Sequence, residues 1–396
     1  MRLLHTADQH LGFRQFSHVG PDGRNVRETD VMSTFRTFVD RAIALAPDVI
    51  VIAGDVFHSV RPSNGCIDEA FGEFSRLMQA LPATVAIVGS GNHDLPRSAD
   101  TGCILRLFAR LGIHVVERDP TRLSFPALNL SVLVVPDAPQ TVRPSFVPDP
   151  AARYNIVVLH GEVQGMLKHA FRPEERACVE IPIADMQPAA WDYIALGHYH
   201  VYRELAPNCF YSGSIDFTST NPWGEIEEAR ERGVAGKGFA ERNLDTGEQI
   251  FHPLPASRAY VDLPTFSAHE LNVEDVDHAL RAAIEACPGS IDGKVVRLVV
   301  TDLPREISRE LDHKALREYK RRALNLNLTF RRPERLQFGT QRASGRQAKS
   351  VDEIAAAFFA ERFGGESATA ALARRYLDEA TPLDQDTMAL GAGIEA

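Results

Sequence analysis

Asp48-Val-Ile-Val-Ile-Ala-Gly-Asp55 runs five apolar, mostly β-branched residues straight into a glycine and a carboxylate. A strand with no polar face is covered on both sides, so this octapeptide predicts Asp55 at the end of a strand inside a helix-covered sheet. The pattern recurs. Leu3–His5 leads to Asp8-Gln9-His10, Thr84–Val88 to Gly91-Asn92-His93-Asp94, Asn155–Leu159 to His160-Gly161, and Asp192–Leu196 to Gly197-His198-Tyr199-His200. Leu130–Val135 adds a sixth strand. Between them, Val31, Phe35, Phe38, Val39, Ala42 and Ile43 repeat at helical spacing behind an expected N-cap at Asp30, and Pro47 ends that helix. Ile67, Ala70, Phe71, Phe74, Leu77 and Met78 repeat the period. Strands alternating with helices give an α/β core of packed sheets flanked by helices over residues 1–255.

A second unit follows. Tyr260–Leu263, Lys294–Val300 and Leu326–Phe330 read as strands, and Val273–Cys287 and His313–Leu324 as helices, which makes residues 256–330 a small α/β cap. Residues 331–350 are polar and basic without apolar period, as in a linker. Residues 351–380 predict a helical pair, with Ile354, Phe358, Phe359 and Phe363 on one apolar stripe, and residues 381–396 a tail.

The whole chain sets the bounds. Its 396 residues are 44% hydrophobic and 24% charged, a globular composition that excludes collagen-like, wholly disordered and disulfide-built proteins. No apolar run approaches the roughly 20 residues needed to cross a bilayer, and the N-terminus turns polar after two leucines, which predicts a cytoplasmic protein without membrane partners, nucleoid-associated if prokaryotic. Five cysteines without CxxC pairing read as buried thiols. The net charge of −10 hides an asymmetry: residues 281–350 hold 16 Lys and Arg against 8 Asp and Glu, and residues 351–396 hold 3 against 9. The basic segment suits a polyanion, and it equally suits a solvated face.

The five polar blocks carry the chemistry. Loops at the carboxyl ends of strands in such sheets converge on one crevice. They bring together aspartates, an asparagine and histidines, a donor set for borderline divalent ions such as Mn, Fe or Zn, and the scarcity of Cys speaks against a softer site. Seven ligands are too many for one ion and suit two ions sharing a carboxylate, a pair that polarises a phosphate and activates water. A single Asp-x-His is usually incidental; five blocks in this order, each at a strand end, are not.

Together the blocks resemble the signature of the calcineurin-like metallophosphoesterases. His10-Leu-Gly-Phe-Arg-Gln-Phe16 and Ala53-Gly-Asp-Val-Phe-His58 narrow the resemblance to SbcD and Mre-type DNA double-strand-break repair nucleases, the archaeal ones above all. That resemblance implies Asp8, His10 and His200 on one metal, Asn92, His160 and His198 on the other, and Asp55 bridging. It implies His93 beside the scissile phosphate with its ring oriented by Asp94, and His58 as a further active-site histidine, although a loop histidine without function also fits His58. It implies two divalent ions, Mn2+ as the expected pair, a homodimer, and double- and single-stranded DNA as substrate. It also implies a coiled-coil ABC ATPase of the SbcC or Rad type as partner, received by Ile354, Phe358, Phe359 and Phe363; docking of that stripe on its own domain is the alternative.

Two features depart from the pattern. Gln9 stands where bacterial SbcD proteins often have Trp, and His160 is followed by Gly-Glu-Val-Gln-Gly. Neither removes a ligand. Arg14, Gln15, Ser214, Lys237, Arg331, Arg332 and Arg335 are the expected DNA contacts, against hairpin or solvated-loop readings for the same residues. Function therefore reads as a two-metal DNA exo- or endonuclease. The rivals are a phosphoesterase for a small nucleotide or phosphoprotein, and a non-catalytic DNA-end scaffold.

Overall fold

The six expected strands all form, and they divide between two six-stranded sheets. In the computed structural model, which describes residues 1–96, 102–138, 144–165, 177 and 179–333, the first sheet runs Gln249–Pro253, Gly238–Asn243, Arg2–Thr6, Val49–Ala53, Val85–Gly89, His114–Val116. The second runs Arg203–Ala206, Cys209–Tyr211, Tyr193–Gly197, Tyr154–His160, Leu130–Val135, Thr121–Phe125. Their central strands are parallel and every polar block leaves a carboxyl end.

Three apolar layers explain why the strands lack a polar face. Leu4, Ile50, Ile52 and Val88 pack outward on helices Val26–Leu45 and Asn64–Ala80 through Phe35, Phe38 and Phe74. Leu3, Val49, Val51 and Ile87 turn inward against Val132, Val134, Ile156, Val158, Tyr193 and Ala195 of the other sheet. Leu133, Val157, Leu159, Ile194 and Leu196 face a third layer containing Met186 and Trp191. Alternate residues of one strand thus enter different cores, as a period of two requires.

The first helix starts earlier than expected. Asn25, not Asp30, is its N-cap, with its side chain accepting from the Arg27 N–H. The Asp30 carboxylate is occupied elsewhere: it accepts from Arg27 Nη1 at 2.8 Å and from Arg258 Nε and Nη2 at 2.7 and 3.0 Å. The opposite terminus agrees, since Ala46 turns left-handed before Pro47.

A third sheet is built on Val295–Thr301, with Asn325–Phe330 along one side and Tyr260–Asp262 and Phe266–Ser267 sharing the other, all parallel. Helices Val273–Glu285, Arg305–Glu310 and His313–Arg322 accompany it, and Val276, Leu280, Leu298 and Leu316 share its core. The Phe266–Ser267 strand and the Arg305–Glu310 helix were not in the sequence reading. Met1–Pro333 nonetheless forms one compact unit. Trp223, Val295 and Leu324 join the third sheet to the front, and so does a buried ionic knot. In that knot Arg27 donates to Asp216 at 2.8 Å as well as to Asp30, while the Thr34 hydroxyl donates to Asp216 at 2.7 Å.

Cys66, Cys103, Cys209 and Cys287 are free and buried, as expected; Cys178 lies outside the described residues. Arg335 and the stripe Ile354, Phe358, Phe359 and Phe363 lie outside them too, with nearly all of the linker. No helix among the described residues is long and apolar enough to cross a membrane.

Candidate metal centre

The loops after the strands do not simply end; they pair with each other beyond the sheet edge. Asp8 N–H donates to Gly54 O, His10 N–H to Asp55 O and Leu11 N–H to Val56 O at 2.8–3.0 Å, which locks the first two loops side by side. The second sheet closes on them: His198 N–H donates to both Asp8 carboxylate oxygens at 3.1 and 3.0 Å, and His160 Nδ1 meets Ala53 O at 2.7 Å. Glycine permits this approach. A Cβ on Gly54 would sit 2.2 Å from His160 Nδ1, and one on Gly91 would sit 2.1 Å from Asp55 Oδ1.

The result is one cluster. His10 Nε2 faces His200 Nε2 at 3.1 Å, and Asp55 Oδ2 lies between His10 at 3.6 Å and His160 at 3.5 Å. Asn92 Oδ1 is 3.1 Å from His160 Nε2, and the His198 ring is 5.4 Å from that of His160. All seven expected ligands are therefore brought together. Asp8 with His10 and His200, and Asp8 with Asp55 and His160, present ligand atoms within 4.8 Å of one another. Four of the seven, Asp8, His10, Asp55 and His198, hold φ between 47° and 101°, a left-handed backbone that costs about 1–3 kcal/mol per non-glycine residue and concentrates at functional sites.

Electrostatics suit a cation. Asp8 and Asp55 are buried, and no Lys or Arg salt-bridges either among the described residues. Two desolvated carboxylates without a permanent counter-charge are costly, and a divalent ion among them removes that cost. Burial, reinforced by neighbouring imidazoles, pulls His10 well below the ordinary range, His198 to about 3 and His58 to about 4, leaving nitrogen lone pairs free to ligate. His160 goes the other way. Burial lowers it, but Asp55 and Asp8 outweigh burial and raise it to about 9. The oxygen and imidazole donors fit a borderline ion.

His93 and His58 flank the cluster, stacked at 5.2 Å, with His93 4.8 Å from the His10 ring. Here the sequence reading needs correction. His93 Nδ1 is held by the His58 carbonyl at 2.8 Å, whereas the Asp94 carboxylate points away and accepts the Val56, Phe57 and Gly91 N–H groups at 3.2, 2.9 and 3.0 Å. Asp94 ties two loops together rather than orienting the ring. Burial, with Asp55 nearby, raises its carboxyl to about 7.

Two expected DNA contacts are also displaced. Ser214 and Lys237 are buried, with Lys237 Nζ donating to His200 O at 2.7 Å, to Ser214 Oγ at 3.0 Å and to Glu225. Their polar atoms are used inside the protein, so they form no solvent-facing DNA path. Arg14 remains largely exposed while anchored on Glu28 at 2.6 Å, Gln15 is half-buried, and Arg331 and Arg332 are exposed at the end of the third sheet. Glu225 was not found from sequence; its acidic helix, Pro222–Glu231, looks like any solvated one.

Known proteins share this architecture. The calcineurin-like phosphoesterase family matches residues 1–204, just over half of the chain, and the protein belongs to that family. Its α/β sheets flanked by helices are the metallophosphoesterase fold. Among individual relatives, the DNA double-strand break repair protein Mre11 of Methanopyrus kandleri is 30% identical over 329 residues, which cover 76% of this chain and 65% of that protein. Mre11 of Methanosarcina acetivorans is 25% identical over 368 residues, covering 82% and 56%, and that of Methanosarcina mazei 24% over 361, covering 82% and 55%. The chain thus spans less than two thirds of the length of these relatives.

Proposed function

We propose that the protein is a divalent-metal-dependent nuclease that hydrolyses DNA backbone phosphodiesters in double-strand-break repair. One observation carries the reading: Asp55 lies between His10 and His160 at the point where all five strand-end loops meet. Asp8, His10 and His200 would hold one ion, Asn92, His160 and His198 the other, and Asp55 both. Two bound Mn2+ ions would supply Lewis acidity for the phosphate and lower the pKa of water. The chain's own part is to fix the phosphate and handle protons. With Nδ1 engaged by the His58 carbonyl, His93 presents its other nitrogen to the crevice, where it stabilises the crowded phosphate or protonates the departing 3′ oxygen. His58, stacked on it, keeps the ring in place. The products would be a 5′-phosphate and a 3′-hydroxyl.

The names of the relatives and the exposed Arg14, Arg331 and Arg332 support DNA, double- or single-stranded, as substrate. Family resemblance further supports a homodimer in the cytoplasm, working with a coiled-coil ABC ATPase that docks on the Ile354, Phe358, Phe359 and Phe363 stripe. The test compares Mn2+-dependent turnover of a linear duplex with that of bis-p-nitrophenyl phosphate, alongside metal content. Duplex cleavage that disappears with chelation supports the nuclease. Turnover of the small ester alone would make it a small-substrate phosphoesterase, and absence of both, with DNA still bound, a scaffold.

A further inference from the structure

Beneath the crevice, His200 is gripped at both ends. Its carbonyl accepts from Ser214 N–H at 3.1 Å and from Lys237 Nζ at 2.7 Å. Its ring Nδ1 lies 3.2 Å from Glu225 Oε1, within ion-pair distance though not aligned as a hydrogen bond. The other Glu225 oxygen is held by the same Lys237, and the two side chains are only 11% and 5% exposed. Glu225 stands on a helix capped by Asn221, whose Oδ1 accepts from Gly224 N–H at 3.2 Å one residue earlier. The far nitrogen, Nε2, faces His10.

We propose that Glu225, held by Lys237, is a positioning residue for His200: it keeps the ring proton on Nδ1 and aims the Nε2 lone pair at the site shared with Asp8 and His10. This rests on the metal-centre reading. A metal-binding imidazole commonly gives its other N–H to a carboxylate, which fixes tautomer and ring orientation, and loss of such a partner weakens metal binding about 10–100-fold. The grip also explains why a lysine in this loop is buried. Lys237 neutralises the carboxylate and seats the His200 backbone, so one cation fixes both ends of the ligand. In the other half of the crevice, His160 Nδ1 is engaged by the Ala53 backbone carbonyl, which no side-chain substitution removes.

The test titrates Mn2+ into the metal-free full chain by calorimetry. Two double variants separate the acceptor from the buried charge pair: Glu225→Gln with Lys237→Met keeps an oxygen at Nδ1, and Glu225→Leu with Lys237→Met removes it. Both pairs lose the Lys237 grip on the His200 carbonyl, so the comparison is between them: the leucine pair should bind one Mn2+ about 10–100-fold more weakly than the glutamine pair does, and the other equally. Equal binding by the two pairs, or equal weakening at both sites, overturns the inference. If either double variant does not fold, Glu225→Asp serves: weakening confined to one site supports it, and unchanged binding overturns it. Absence of Mn2+ binding by the parent chain, or parent-like binding by Asp55→Ala, would bring down the metal-centre reading itself.

Discussion

The crevice and the third sheet obey opposite rules. Around Val295–Thr301, hydrophobic residues face one core, helices carry ordinary caps such as Asn272 with Asp275, and charged groups lie at the surface. In the crevice, carboxylates and imidazoles are buried together, four ligands hold left-handed backbone, and loops pair outside any sheet. Left-handed residues occur around the third sheet too, at Glu270, Ser290 and Asp302, but none of the three is buried, so strain and buried charge do not coincide there as they do in the crevice. The candidate metal centre thus lies in the front, while Arg331 and Arg332 are exposed at the end of the third sheet.

Substitution of Asp55 breaks the contrast at its centre. Asp55→Ala should abolish hydrolysis and strip Mn2+ from both positions, because each loses a shared negative ligand, and elemental analysis beside a duplex cleavage assay would show it. Two tightly bound ions with near-parent turnover would disprove the bridging role. The Gly-Asn-His-Asp block then divides within itself. His93→Ala should keep metal and DNA yet lose turnover by about a hundredfold or more. Asp94→Ala should act through stability, since three buried N–H groups lose their acceptor at about 1–3 kcal/mol each, measurable as a shift in the urea midpoint. Equal catalytic loss with unchanged stability would return Asp94 to the role of orienting His93.

The joint between the two regions comes next. Arg27→Met leaves Asp216 buried without its cation and weakens the hold on Asp30, to which Arg258 at the start of the third-sheet segment is tied. Removing one partner of a buried pair costs about 3–5 kcal/mol, so denaturant unfolding of the metal-free protein should shift by that amount. A shift below about 1 kcal/mol would mean that Arg27 adds little to a joint held by Trp223, Val295, Leu324 and the Arg258–Asp30 pair.

What the sequence disclosed follows the same division. The central strands were legible because both faces are covered, and the clustering of the candidate ligands because each stands at the end of such a strand. Peripheral strands were not. Thr121–Phe125 and Arg203–Ala206 bury one face weakly, and Gly238–Asn243 hides Glu241 and Arg242, which are buried against Arg2 and the Pro207 carbonyl. Asp30 looked like a cap because its partner Arg258 is remote in sequence. The true holder of His93 is a backbone carbonyl, which no residue type announces. Lys237 looked like a phosphate contact because a cation near a metal motif resembles one until its burial is known.

The smallest expected effect tests whether the back serves the front at all. Arg331 and Arg332 are exposed just after the Asn325–Phe330 strand, and Arg331 continues its pairing through N–H to Val300 O at 2.8 Å, so these guanidinium groups leave from a fixed backbone rather than a loose tail. Each cation that neutralises a phosphate releases condensed counterions, so the logarithm of duplex affinity falls with the logarithm of salt by about 0.9 per contact. Arg331→Glu with Arg332→Glu should therefore weaken duplex binding and flatten that slope by about 2, while Mn2+ content and turnover of bis-p-nitrophenyl phosphate stay at parent values. Neither arginine belongs to the candidate metal centre, so loss of small-ester turnover would show a folding defect instead. An unchanged slope would make the two arginines a solvated face and leave the exposed Arg14 as a starting point from which to trace the DNA path.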